Sequence, residues 1–404
     1  MQVYIGLDWS SKKHDIVITD ETGKRISAGV MEHSQEGFSK VEQMRKRLGV
    51  SQDECVIGLE TAHTILIDYL WESGYEHLRV IHPNIVNKSR ERYSQSGAYD
   101  DQSDAFVISD LLRTDGHRFA PWHPGSPLLQ EMRRTVSFAQ FMTKQSTMQA
   151  NRLEAVLRRY YPAARQLFTW PSQIACHFLL AHPTFEAARR LSFEEFGTFL
   201  KTHGHTQTKN WLKIYDKLQA DYPQAAPAAV AAGQAEALPL AQMLLDTQKS
   251  KQQTLRHLQI LFQQHEDAPL FSSLPGAGEL LAPALLVKFG EDRARFPKAS
   301  TVQMLAGTAP ITKRSGKRKR VLFRRACDKS FRYFVQQFAL NSLRDSDWAQ
   351  AYYQAATQRG MKRNQAFRSL GNRWLSIIWR MWLDRTPYDE AYHLQQRLAR
   401  RRAC

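Results

Sequence analysis

From Gln2 to Asp8, apolar Val3, Ile5 and Leu7 alternate with Tyr4, Gly6 and Asp8, a period of two that predicts a strand with Asp8 at its end. His14 to Thr19 and Lys24 to Met31 predict two more strands, and the turn Asp20-Glu21-Thr22-Gly23 between them predicts an antiparallel meander. A helical period covers about Gln35 to Leu48. Next come a strand ending at Glu60 (ECVIGLE), a helix from about Ala62 to Glu72, and a strand from His77 to Ile81 that Pro83 ends. Another helix begins after Asn84, and a further one carries Asp101 to Leu112. Residues 1–120 therefore predict one α/β domain.

The pattern changes at Pro127. From there to Tyr160 apolar residues recur at helical spacing without a glycine, which predicts one long helix. A second, from about Gln234 to Gln264, has similar character, and the two predict an antiparallel hairpin or a dimerising coiled coil within a helical region of residues 125–266. The stretch of residues 162–233 reads as an inserted helical subdomain. Phe168, Trp170, Phe178, Phe185, Phe193 and Phe196 are expected in its core, and the low-complexity run AAPAAVAAG forms a flexible edge. Residues 269–404 predict a last, mostly helical domain: it opens with LPGAGELLAPALLVKFG and continues through a basic loop into long helices.

Charge narrows the possible partners. The 404 residues hold 56 Lys+Arg against 39 Asp+Glu, a formal charge of +17, so a polyanion is the first partner to consider. No apolar run approaches the ~20 residues of a spanning helix. The start MQVYIGLDWS reads directly as a strand rather than a signal peptide, and Cys55, Cys176, Cys327 and Cys404 are scattered singly, as reduced thiols are. A soluble cytoplasmic protein without a membrane partner is expected.

With the strands in that order, Asp8 and Glu60 project from the ends of adjacent central strands, while Asp101 and Asp104 share a helix face at i,i+3. Carboxylates that close resist ionising together unless divalent cations favour the charged forms, and hard oxygen ligands suit Mg²⁺ or Mn²⁺. Two such ions align a nucleophile and a leaving oxygen on a scissile phosphate. Each acid also has a plain role open to it, Asp101 as a helix N-cap and Glu60 as a strand-end residue. The order βββαβαβα is that of ribonuclease H-like folds but not of those alone.

In the last domain, the turn at Gly276-Ala277-Gly278 lets backbone approach a ligand, and the helix behind it offers unpaired N–H groups to phosphate, as in helix-hairpin-helix motifs; a plain turn uses the same residues. Downstream, AGTAPITKRSGKRKRVLFRR sets Ser315 among Lys313, Arg314, Lys317, Arg318, Lys319 and Arg320, the composition of a phosphate-contacting patch. By residue type alone Ser315 is a turn residue.

Taken in order, GLDWSSKKHD, GLETAH and YDDQSDA resemble the DEDD domain of the insertion sequence 110 family of transposases, a RuvC-like branch of the ribonuclease H superfamily. Leu274 to Arg325, with its P-G-x-G, A-G-x-x-P and S-G, resembles the second domain of the same family. The likeness covers about Met1 to Leu112 and Pro269 to Ala355 and leaves residues 162–233 without a counterpart.

It implies a Mg²⁺ or Mn²⁺ site at Asp8, Glu60, Asp101 and Asp104, and Ser315 as a nucleophile that stores the phosphodiester bond as a phosphoserine ester. It further implies donor and target DNA as substrates, a noncoding bridge RNA as guide, and a dimer or tetramer in which the metal domain of one subunit meets the serine domain of another. One departure stands out. Family members read Lys-Thr-Asp-x-x-Asp-Ala where this chain has Tyr99-Asp100-Asp101, so Asp100, at i,i+4 from Asp104, rivals Asp101 as a ligand.

Three other readings compete. A RuvC-type junction-resolving nuclease would hydrolyse with water and leave Ser315 without a role. An actin- or sugar-kinase-like ATPase also opens with Gly-x-Asp on a strand, but the second phosphate loop and the adenosine motif it needs are missing from the sequence. A noncatalytic nucleic-acid-binding protein would have no use for four acids.

Overall fold

The computed structural model of the chain describes residues 1–62, 64–93, 101–316 and 318–395, and of Asp101 the backbone alone. The chain divides into two compact units, Met1–Gly125 and Ser126–Cys404.

The first unit is built on a five-stranded sheet of β1 (Val3–Trp9), β2 (Lys13–Thr19), β3 (Arg25–Glu32), β4 (Cys55–Leu59) and β5 (Leu78–Val80), in the order β3-β2-β1-β4-β5. The first three strands pair antiparallel as the meander pattern predicts, and β4 and β5 add parallel to β1. Helices α1 (Gln35–Leu48), α2 (Ile65–Glu72), α3 (Pro83–Ser89) and α4 (Asp101–Asp115) complete the unit. α1 has the predicted ends because Ser34 caps it through the Gly37 N–H and Gly49 leaves it with a left-handed φ of 68°. α3 starts at Pro83, two residues early, since proline at the first helical position has no N–H to lose.

Val3, Ile5, Leu7, Ile57 and Leu59 share a core with Phe38 and Val41 of α1 and Leu66 and Leu70 of α2. α4 lies against the sheet where two glycines pair side by side, Gly6 on β1 opposite Gly58 on β4. A Cβ on Gly6 would stand 1.8 Å from the Ala105 carbonyl oxygen, and one on Gly58 would stand 2.8 Å from Cγ2 of Ile108. The helix therefore approaches the strands more closely than any side chain there would allow.

In the second unit α5 (Pro127–Tyr160) runs antiparallel to α11 (Pro227–Gln263), as the polar contacts of Glu131 with His257 and of Glu236 with Arg152 require. Between them α6 (Ala164–Leu167), α7 (Gln173–Ala181), α8 (Phe185–Arg189), α9 (Phe193–Thr202) and α10 (Trp211–Gln219) enclose their own core. Phe168, Phe178 and Phe196 are buried in it, with Trp170 and Phe185 packed alongside. Phe193, expected inside, is instead exposed at the first position of α9, edge-on to Tyr215. The expected flexible edge is also corrected: the alanine-rich run is the start of α11. Alanine is the strongest helix former, Pro227 occupies the tolerant first turn, and Gly233 lets the two long helices meet, since a Cβ there would lie 2.3 Å from the Tyr160 ring.

The chain ends with α12 (Ala268–Ser272), α13 (Gly278–Phe289), α14 (Ala299–Leu305), a hairpin of β6 (Ile311–Ser315) and β7 (Arg318–Leu322), α15 (Lys329–Asp345), α16 (Asp347–Gln358) and α17 (Arg363–Asp384). Phe289, Phe331, Phe338, Trp374 and Trp382 fill the core of these helices. The basic loop of the sequence reading is this two-stranded ribbon. Among the described residues no helix is long and apolar enough to cross a membrane.

Candidate functional site

Gly6-Leu7-Asp8 and Gly58-Leu59-Glu60 are the same device on neighbouring parallel strands. In each, the glycine admits α4, and the acid two residues on returns to the face that α4 covers. Asp104 comes from the first turn of α4, next to the Ala105 carbonyl that abuts Gly6.

Asp104 is largely buried and is gripped by Arg90, whose Nε donates to Oδ1 at 2.5 Å while Nη2 donates to Oδ2. Burial raises the pKa of Glu60, and the negative charge of Asp104 raises it further, while Arg90 and His82 oppose the shift. Hydrogen bonding to Asp104 holds the proton on Arg90 more tightly than usual, and Glu60 and Asp8 add to the effect. Asp104 thus touches the Arg90 guanidinium, and Glu60 and Asp8 are near enough for their charges to act on it.

Among the described residues no three acids, histidines or cysteines meet at the spacing of a metal centre. Of the other two candidates, Asp100 lies outside the described residues and so does the side chain of Asp101. The donor chemistry nevertheless fits a hard divalent cation: the groups are all carboxylates, and Glu60 is kept from ionising first by burial and then by the charge of Asp104.

Sequence reasoning missed two members of this site. Arg90 sits in the short 3-10 turn Arg90–Arg92 after α3, and nothing in its neighbourhood in the chain sets it apart. Asp15 pairs directly with Asp8 across the β1–β2 ladder and so shares its face of the sheet. Placing the meander turn and counting back along the strands would have found it.

The second patch is the ribbon. Ala306 to Pro310 leads into it, fixed by Gly307 (φ 66°), where a Cβ would strike Cys327 Sγ at 2.7 Å, and by a 2.8 Å hydrogen bond from the Thr308 hydroxyl to Asn372. At the exit Arg324 donates to the Ala309 carbonyl, and Phe323 lies under the guanidinium groups of Arg332 and Arg368 at 4.5 and 4.6 Å. Beyond this clamp the strands stand free. Lys313, Arg314, Ser315, Arg318, Lys319 and Arg320 are all exposed, and Lys317 lies outside the described residues. Lys313 faces Arg320 across the ladder and Arg314 faces Lys319, so like charges oppose one another along the ribbon. Ser315 ends β6, followed by Gly316 with a left-handed φ of 54°.

The two glycines of the proposed helix-hairpin-helix turn differ. Gly276 (φ 73°) is pressed against the Asn341 backbone, where a Cβ would come within 2.8 Å, so packing accounts for it. Gly278 (φ 58°) opens α13 with nothing near its missing Cβ.

Comparison with known proteins matches two segments of the chain. A family model of transposases, DEDD_Tnp_IS110, matches residues 5–162, and a second, described as transposase of the IS116/IS110/IS902 family, matches residues 268–354. The chain is 29% identical over 402 residues to the mini-circle putative transposase for IS117 of Streptomyces coelicolor, with 96% of each chain covered. It is 25% identical over 406 residues to the insertion element IS900 uncharacterized 42 kDa protein of Mycobacterium paratuberculosis, covering 96% of this chain and 98% of the other. The putative transposase y4uE of Sinorhizobium fredii shares 29% identity over 206 residues, 50% of this chain and 56% of that one. Both family models fall on the segments that carry the acids and the ribbon, and the chain belongs to the IS110 family of insertion-sequence transposases.

Proposed function

We propose that this transposase cuts and rejoins DNA through a covalent ester between Ser315 and a DNA phosphate, assisted by a cation site at Asp8, Glu60, Asp101 and Asp104 in a ribonuclease H-like domain. The observation that carries the serine is its setting: an exposed hydroxyl at the end of a ribbon whose charges repel until a polyanion lies on it. In the forward step the Ser315 Oγ–P bond forms, the P–O bond to one deoxyribose breaks, and the serine proton passes to the departing oxygen. Attack by a hydroxyl of the incoming strand reverses these changes and returns the proton to serine. The number of phosphodiester bonds is conserved, so no ATP is consumed.

The acids fit Mg²⁺ or Mn²⁺, which when bound supplies charge stabilisation to phosphate oxygens. Asp8 and Glu60 would hold it from the strand ends, with Asp101 and Asp104 from α4. Arg90 would have to yield Asp104 for that carboxylate to bind the ion. Arg314, Arg318, Arg320, Lys313, Lys317 and Lys319 would hold nucleic acid, and Gly278 would let a backbone approach α13. A noncoding bridge RNA as guide and a dimer or tetramer as the working assembly follow from the family likeness, and the formal charge of +17 supports a second polyanion.

Ser315→Ala is expected to abolish strand exchange and any covalent protein–DNA adduct while leaving DNA binding largely intact, and chelation of divalent cations is expected to stop both. Cleavage by Ser315→Ala at the normal rate, with water as nucleophile and no adduct, would remove the serine and leave a RuvC-type nuclease.

A further inference from the structure

Six basic residues surround Ser315 in the sequence, and their order along the chain does not choose among them. The ladder of the ribbon does. Its pairs are Ile311 with Leu322, Thr312 with Val321, Lys313 with Arg320, Arg314 with Lys319, and Ser315 with Arg318. Side chains alternate between the faces of a strand, and directly paired residues share a face. Lys313, Ser315, Arg318 and Arg320 therefore lie on one face of the ribbon, and Arg314 and Lys319 lie on the other. Arg318 is the direct cross-strand neighbour of Ser315, about 5 Å away at Cβ, and Arg320 is a diagonal neighbour at about 7–8 Å. Both faces are exposed along these positions, so neither set is engaged in the core.

We propose that Arg318, with Lys313 and Arg320 beside it, seats the phosphate that Ser315 attacks, while Arg314 and Lys319 contribute to nucleic-acid binding without touching the reacting group. This rests on Ser315 being the nucleophile. A phosphate within reach of the Ser315 hydroxyl lies on the Ser315 face, where a planar guanidinium directly across the ladder can donate two N–H groups to its nonbridging oxygens. As the Oγ–P bond forms, charge builds on those oxygens, and Arg318 neutralises it. Arg314, one residue away along the chain, points to the opposite side and cannot reach them.

The test uses the full-length protein and a donor DNA duplex nicked so that the covalent adduct accumulates. Single-turnover adduct formation is followed at saturating DNA, and affinity is measured separately as a function of salt. Arg318→Ala is expected to slow adduct formation by about 100-fold, the typical cost of losing one donor to a developing oxyanion. Arg318→Lys is expected to recover part of that loss, because charge returns without the bidentate geometry. Arg314→Ala is expected to lower affinity and reduce the salt slope by about one, and to slow adduct formation at saturation far less than Arg318→Ala does. Equal slowing by Arg314→Ala and Arg318→Ala at saturation would overturn the assignment of faces, and so would a normal rate for Arg318→Ala. Mapping the adduct to its peptide separates this failure from a failure of the serine itself. An adduct on Ser315 with an indifferent Arg318 sinks only the present inference, whereas strand exchange with no adduct on Ser315 sinks both.

Discussion

The acidic site and the basic ribbon are both concentrations of like charge, and they are held in opposite ways. In the sheet, Asp8, Glu60 and Asp104 are set by backbone packing around Gly6 and Gly58, and Arg90 pairs with Asp104 within the unit. In the ribbon, cations face cations across the ladder and stand in water, with only the base clamped by Phe323, Arg324, Arg332 and Arg368. The first arrangement carries part of its own counter-charge, in Arg90. The second carries none: no acid stands between Ile311 and Leu322, so an outside polyanion would have to offset the ribbon's charge. On the function proposed above, the acids would hold a cation through strand exchange and the ribbon would grip and release DNA.

The largest expected effect separates packing from exposure. Gly6→Ala sets a methyl carbon 1.8 Å from the Ala105 carbonyl oxygen and 2.7 Å from the Ser109 nitrogen, both backbone atoms that cannot rotate aside. α4 must lift from the sheet, at a cost of about 3 kcal/mol or more, and the acids part with it. Gly316→Ala in the ribbon meets nothing within 4 Å and bears only the strain of its positive φ, about 1 kcal/mol. Chemical denaturation of the two variants checks the contrast. Equal losses would mean that α4 does not rely on its close approach to β1.

Next in size is removal of the internal cation. Arg90→Met leaves the Asp104 carboxylate without its guanidinium, a loss of about 2 kcal/mol, below the full cost for a buried pair because the Arg90 side chain is 25% exposed. If Arg90 stands where a divalent ion would otherwise serve, Mg²⁺ should restore part of that loss. The melting temperature of Arg90→Met should then rise more steeply with Mg²⁺ than that of the unaltered protein. Identical Mg²⁺ responses would show that Arg90 and the ion do not share the acids.

The two regions were unequally legible in the sequence, for a physical reason. The strands and helices around the acids carry apolar residues at periods of two and 3.6, so β1, β2 and α1 could be placed to within a residue or two, and the Gly-x-acid repeats stood at strand ends. The ribbon carries its period in charged residues: Thr312 to Arg320 has no apolar position, so the alternation that reveals a strand is invisible and a loop is the natural reading. Arg90 was hidden differently. Its role depends on α3 and α4 folding together, and no local pattern marks a tertiary ion pair. The alanine run at the start of α11 misled through composition, since low complexity signals flexibility only when the residues are poor helix formers.

The smallest effect is also the most specific to the ribbon. Lys319→Glu converts the like-charged cross-strand pair with Arg314 into an opposite-charged one, on the face away from Ser315. Such pairs stabilise a ladder by roughly 0.2–1 kcal/mol, so amide exchange within the ribbon should slow by about twofold even as affinity for DNA falls through the loss of a phosphate contact. Stability and binding would then move in opposite directions from one substitution, as expected if the ribbon's repulsion is retained for a polyanion. A ribbon that exchanged faster in Lys319→Glu would mean that Arg314 and Lys319 do not oppose one another in solution, and the contrast with the acids around Arg90 would lose its footing.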